Sequence, residues 1–314
     1  MVFGVIAMIL VGVSWIVWGY VAGKAPKRNL NMGLMVAASA AMAVVICLLG
    51  LGACYWLDKQ GVALHKAIYP VLPAFNKGSL IVMGFVVLGG IFNFAQLQFM
   101  SKAMANGPNG IVWSIVQAGF IVPFALGIIC FGEKMTWAFA CAIVLVIAAL
   151  VLFAVTADNS SKGNWLMFTF FSFISTCICQ SMQYIPSNLE AVREVSSLCR
   201  TMCYFVGLFS GFLIACCCSK AMRLDAVKLI GNKYTWRYAL LIDTVEIFTC
   251  ICLFYPGLDA LANSRIGAIS SQLMTASGII GFEVYAVMIL KEKRSALQVT
   301  ALLLCLLSIV AICF

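Results

Sequence analysis

The sequence predicts an all-α polytopic membrane protein of ten transmembrane helices, laid out as two inverted five-helix repeats. Three observations carry this expectation. The chain is 64% apolar and 10% charged over 314 residues, whereas a water-soluble domain uses about 25% charged residues to cover its outside. The apolar residues gather in long runs, and about 20 of them cross roughly 30 Å of hydrocarbon. A single run of that length satisfies its own backbone hydrogen bonds only as a helix. Finally, a short charged turn recurs. Phe131-Gly132-Glu133-Lys134 follows the fourth run, and Leu290-Lys291-Glu292-Lys293 follows the ninth, 159 residues further on.

Taken in order, the first run spans 5–22. It lacks a basic leading segment and a small-residue cleavage site, so it reads as a helix that stays, not a signal peptide. Trp15 and Trp18 on it can stack on a sugar or cap a cavity. The second run covers 32–55, and the third, 79–100, places Asn93 and Gln96 on one face, with Gln98 beside them. The fourth, 110–131, carries Trp113, Ser114 and Gln117, and also Pro123, which kinks a helix or frees a carbonyl. The fifth is 137–156.

A polar join at 157–163 leads into the second half. The sixth run, 164–186, holds Gln180, Gln183 and Tyr184. In the seventh, 198–218, Gly207 and Gly211 have the spacing that lets helices approach closely. The eighth, 236–255, carries Asp243 and Glu246 three residues apart, hence on one face. The ninth, 266–290, has Ser271, Gln272, Thr275 and Glu283, with Gly278 and Gly281 expected to loosen it. The tenth is 296–314. The expected units are therefore 1–156 and 157–314. Five spans is an odd number, so the second unit enters the membrane from the opposite side. In such inverted repeats the solute binds near the midplane, between the repeats.

Little chain remains outside the runs. The two longest connections, 56–78 and 219–235, leave no room for a soluble catalytic or nucleic-acid-binding domain. No Gly-x-x-x-x-Gly-Lys-Ser/Thr phosphate loop is present, so the chain does not hydrolyse nucleotide itself. The sole histidine, His65, sits in a connection with no acid paired to it, and the fifteen cysteines lie mostly inside runs without zinc spacing. No catalytic residue, metal or cofactor is therefore expected. The net charge of +9 reads as loop lysines and arginines that set topology. Lys220, Arg223, Lys228, Lys233 and Arg237 suit anionic lipid headgroups better than nucleic acid. Connections after odd-numbered runs hold 13 of the 20 basic residues, a bias that puts both termini outside. Asp58, Asp158 and Asp225 are placed in connections.

An ionisable residue inside a membrane marks a site by default, which selects Asp243, Glu246 and Glu283. One reading is proton coupling, since a carboxyl in low dielectric can exchange a proton near neutral pH and a close pair can share one. The other is a structural hydrogen bond, or an ion pair to a neighbour such as Arg200. The neutral set comprises Trp15, Trp18, Asn93, Gln96, Trp113, Ser114, Gln117, Gln180, Gln183, Tyr184, Gln272 and Thr275. Its amides offer both donors and acceptors, as a central cavity for a hydroxyl-rich or zwitterionic solute requires. Individually, such residues also serve as interhelical hydrogen bonds worth about 0.6 kcal/mol.

Ten helices in two halves, with Gly132-Glu133-Lys134 and Lys291-Glu292-Lys293 closing the fourth and ninth, resemble the drug/metabolite transporter superfamily and its EamA-like repeats. Two stretches, Trp18-Gly19-Tyr20-Val21-Ala22-Gly23-Lys24-Ala25-Pro26-Lys27 and Gly89-Gly90-Ile91-Phe92-Asn93-Phe94-Ala95-Gln96 running on to Gly107-Pro108-Asn109-Gly110, resemble its sugar-uptake branch, the L-rhamnose–proton symporter and glucose/ribose porters. The resemblance implies a non-enzymatic secondary carrier for a small polar metabolite, sugar or amino-acid-like. Its expected setting is the inner membrane of a bacterium, as a monomer or homodimer in contact with lipid. A lipid-headgroup flippase or a non-transporting scaffold is the alternative.

Overall fold

Helix starts leave backbone N–H groups unpaired, and short polar side chains satisfy them. In the computed structural model of the chain, which describes residues 1–25, 28–63, 68–133, 136–156, 164–289, 291 and 295–312, five helices begin this way. The Asn31 side chain accepts from the Leu34 N–H at 3.1 Å at the head of α3 (Met32–Lys59). Asn76 does the same for α4 (Lys77–Asn106). Ser196, Ser219 and Asn232 cap three further starts. His65, Pro26, Lys27, Lys134, Leu290, Glu292, Lys293 and the join at 157–163 lie outside the described residues.

The chain opens with α1 (Val2–Ser14) and α2 (Ile16–Lys24), nearly continuous through Trp15. After α3 and α4 come α5 (Asn109–Gln117) and α6 (Ile121–Phe131), joined by a 3₁₀ turn at Ala118–Phe120, then α7 (Trp137–Val155). The second part holds α8 (Trp165–Tyr184), α9 (Ser197–Cys218), α10 (Lys220–Leu229) and α11 (Lys233–Thr249). A π turn at Cys250–Phe254 leads into α12 (Tyr255–Asn263), followed by α13 (Ile269–Met288) and α14 (Ala296–Ile312). Every regular element among the described residues is helical.

Seven helices are long and apolar enough to cross a membrane: Val2–Lys24, Met32–Lys59, Lys77–Asn106, Asn109–Phe131, Trp165–Asn188, Ser197–Cys218 and Lys233–Asn263. α13 is 20 residues long but carries Ser270, Ser271, Gln272, Thr275, Ser277 and Glu283, all buried. The burial pattern is the reverse of a water-soluble protein's. Trp137 is 88% and Ile129 79% exposed, while Ser39, Ser114, Gln272 and Thr275 are 0% exposed. An apolar exterior of this extent suits hydrocarbon, not water.

Several expectations need correction. The connection 219–235 contains α10, so Asp225 lies on a helix, and Asp58 lies in the last turn of α3. The fourth run does break as Pro123 led one to expect, just before it, because the ring has no N–H to offer the Gly119 carbonyl. The eighth run loosens where Pro256 leaves the preceding turn short of a donor, producing the π turn. Gly278 and Gly281 loosen nothing, since α13 is one uninterrupted helix. They make room: a Cβ on Gly278 would stand 3.1 Å from the Gly12 carbonyl oxygen, and one on Gly281 2.6 Å from Ile16.

Close approach at glycines sets the packing. α4 lies against α8 and α9, α1 against α13, α3 against α9 and α11, and α7 against α14. A Cβ on Gly207 of α9 would fall 2.1 Å from the Val87 carbonyl oxygen of α4, and one on Gly90 2.2 Å from that of Tyr204. Gly84, also on α4, has nothing within 4 Å of its Cβ direction. Gly207→Ala is therefore expected to cost about 1–3 kcal/mol through overpacking, whereas Gly84→Ala is neutral or stabilising. Thermal unfolding of the purified variants checks this, and equal midpoints for the two would contradict it.

Candidate functional site

The face of α11 that carries Asp243 and Glu246 turns inward, and both side chains are buried. Their surroundings differ. Glu246 accepts a hydrogen bond from the Trp18 indole N–H on one oxygen and from the Cys250 thiol at 3.6 Å on the other. Asp243 accepts from the Ser39 hydroxyl of α3 at 2.5 Å, and its other oxygen has no hydrogen-bond partner among the described residues. No hydrogen bond joins the two carboxyls directly. Glu283, 1% exposed on α13, is remote from both in the chain and packs within the bundle.

Glu246 lines a cavity of ≈ 70 Å³ between the two parts of the chain. One buried water needs about 10–15 Å³ of such space, so it holds several waters or one small solute. Of the residues singled out in the sequence, Trp15, Trp18, Asn93, Gln96, Trp113, Gln117, Gln180, Gln183, Tyr184 and Glu246 line this cavity, as does Ser271. Ser114, Gln272, Thr275, Asp243 and Glu283 do not. The Thr275 hydroxyl instead donates to the Gln117 carbonyl at 3.2 Å, tying α13 to the 3₁₀ break.

The walls combine rings with amides. The Trp113 indole N–H donates to the Gly278 carbonyl at 3.3 Å and its ring packs on Phe282 at 5.0 Å between centroids. The Asn93 amide donates to the Tyr204 hydroxyl, and the Tyr255 hydroxyl donates to Gln183 Oε1 at 3.0 Å. Gln117 Oε1, Gln180 Oε1 and Gln183 Nε2 are buried, line the cavity, and have no hydrogen-bond partner among the described residues. Such orphaned buried atoms call for a solute or water to complete them. Among the described residues, no three His, Cys, Asp or Glu gather to hold a metal ion.

Three features at one end of the cavity escaped the sequence reading. Tyr204 and Tyr255 line it and were not selected, since a tyrosine in an apolar run carries no distinguishing local signal. Arg200, 2% exposed, forms a bidentate ion pair with Asp259 of α12 and stacks over the Tyr255 ring at 4.6 Å. It therefore neutralises Asp259, not the acids of α11. Glu133, read as part of a charged turn, is buried. It accepts from the Tyr184 hydroxyl at 2.5 Å and from the Ala268 N–H at 2.6 Å, where its charge meets the positive end of α13. Gly132, with φ of 61°, ends α6 and lets the chain turn Glu133 inward.

No protein-family model matches the chain, and no curated protein matches it. A solved crystal structure of another protein shares the fold with a TM-score of 0.56 at 12% identity, over 97% of this chain and 96% of that one. The likeness shows the fold alone.

Removing one partner of a buried ion pair strands the other charge, at a cost of about 3–5 kcal/mol, while replacing both by apolar groups of similar volume costs much less. Asp259→Asn is accordingly expected to lower the unfolding midpoint sharply, and the double variant Arg200→Met/Asp259→Leu to recover much of the loss. A double variant less stable than Asp259→Asn would show that the pair is not what holds α9 to α12.

Proposed function

We propose that the chain is a secondary carrier that moves a small polar metabolite, sugar or amino-acid-like, across a membrane by alternating access. The observation that carries this reading is the cavity itself: three amide atoms without partners and one acid, set among tryptophans and tyrosines, inside a bundle whose outside is apolar. Amides supply donors and acceptors to hydroxyl or zwitterionic solutes, and the ring faces suit the apolar side of a sugar. The resemblance of the charged turns and of the Trp18 and Gly89 stretches to the drug/metabolite transporter superfamily agrees with it, as does its sugar-uptake branch. The inner membrane of a bacterium is the setting this reading assumes.

Ten spans in two inverted halves form part of the same proposal, and details of the backbone support it. Gly132 and Lys291, 159 residues apart, both take the left-handed conformation, with φ of 61° and 55°. Gly119 and Gly278, again 159 apart, each approach the leading helix of the other half: Gly119 meets Thr176 and Cys177 of α8, and Gly278 meets Gly12 of α1. The packing also survives exchange of the halves. α4 on α9 has its counterpart in α11 on α3, and α8 on α5 and α6 in α1 on α13. A two-fold of this kind supplies two related states, open to opposite sides.

Glu246 is the acid placed to couple protons to the solute, because it alone of Asp243, Glu246 and Glu283 lines the cavity. A solute and a proton drive net movement only if they stabilise the two states differently. In reconstituted vesicles, Glu246→Gln is expected to abolish uphill accumulation driven by a proton gradient while leaving solute exchange without a gradient. Accumulation unaffected by the amide would remove Glu246 from coupling. No solute-dependent flux from a panel of sugars and amino acids, with lipid movement in its place, would favour a flippase, and neither would favour a scaffold.

A further inference from the structure

A second cavity, of ≈ 430 Å³, lies apart from the one built around Glu246. Its lining includes Arg28, Arg237, Tyr20, Tyr238, Leu240 and Leu241, and no acidic side chain. From this arrangement we infer that it is a binding site for a single anionic phospholipid, with the phosphate headgroup between Arg28 and Arg237 and the upper acyl chain along α11.

The argument starts from charge. The one ion pair among the described residues joins Arg200 to Asp259, so neither guanidinium here is neutralised by a carboxylate. Arg28 rests on the faces of Tyr234 and Tyr238, at 5.0 and 5.7 Å from the ring centroids. Stacking of this kind fixes the guanidinium plane while leaving its N–H edge to bind phosphate in a bidentate fashion. The same end of the bundle carries Lys220, Arg223, Lys228 and Lys233, all exposed.

The shape then separates a lipid from a soluble phosphate. Arg237, Leu240, Leu241 and Thr244 follow one another at the spacing of a single helix face, so the basic mouth of the site runs directly into an apolar stripe. Leu240 is 59% exposed on that stripe. Trp236 is exposed beside it, with its indole N–H donating to the Ile230 carbonyl at 2.7 Å. Tryptophans with one end wet and one end apolar mark the headgroup level. A free phosphate would use the arginines and leave the groove empty, whereas a phospholipid uses both. The expected orientation of this end toward the cytoplasm matches the leaflet that carries anionic lipid.

The test uses the full chain reconstituted with phosphatidylglycerol and phosphatidylcholine of matched chains, followed by native mass spectrometry of the lipids retained. The protein is expected to retain one phosphatidylglycerol in preference to phosphatidylcholine. One basic side chain near the surface contributes roughly 1 kcal/mol, so Arg28→Gln and Arg237→Gln should each weaken retention about fivefold and the pair about 30-fold. Both arginines are exposed, and an unchanged melting temperature in neutral lipid identifies the variants as folded. Excess inorganic phosphate is expected to displace nothing. Equal retention of the two lipids, retention unchanged in folded variants, or displacement by inorganic phosphate would each overturn the assignment. The readout is binding and not flux, so it stands or falls independently of transport.

Discussion

Hydrocarbon offers no hydrogen bonds, so a polar group in a membrane-crossing bundle must find its partner inside the protein or leave the layer. That constraint sorts the side chains of this chain. Serines and threonines along α8, α9 and α13 return their hydroxyls to carbonyls one turn back in their own helices. The charges that lie deep are paired or hydrogen-bonded: Arg200 with Asp259, Glu133 with Tyr184 and the head of α13, and Glu246 with Trp18. At the central cavity, Gln117, Gln180 and Gln183 each present an amide atom without a hydrogen-bond partner among the described residues.

Tight packing and an internal cavity coexist because the two are handled by different residues. Glycines at 12, 90, 207 and 278 bring backbones within reach of one another and seal the helix pairs. Large rings at Trp15, Trp18, Trp113, Tyr204 and Tyr255 hold the helices apart around the hollow. The breaks at Trp15, Ala118–Phe120 and Cys250–Phe254 interrupt helices that contribute to the cavity wall, where freed carbonyls and altered direction cost least. Packed interfaces in general switch between discrete arrangements and do not deform continuously, which is the property the proposed carrier would draw on.

Much of this was legible in the sequence. The helical class follows from run length alone, and amides recurring on several runs pointed to a shared interior. Ten of the fifteen residues singled out do line one cavity. The remaining five show the limit of one-dimensional reading. Asp243 and Glu246 share a face, yet three residues fall about 60° short of a full turn, and one carboxyl meets Ser39 while the other lines the cavity. Thr275 is drawn to the Gln117 carbonyl beside the break that Pro123 signals, a partner on another helix that no spacing rule names. Partners distant in sequence were invisible too. Arg200 and Asp259 meet only because α9 and α12 pack, and a Gly-Glu-Lys turn looks solvated until the left-handed Gly132 turns its glutamate inward.

The claim on which the functional account rests is that the cavity around Glu246 faces each side of the membrane in turn. It is tested most directly by a cysteine at Gln180, which lines the cavity, in a background without other thiols. Sealed vesicles would be treated with a membrane-impermeant thiol reagent, from outside or from within. The account predicts labelling from both sides, with protection by a transported solute. Labelling confined to one side, whatever solute is supplied, would contradict it.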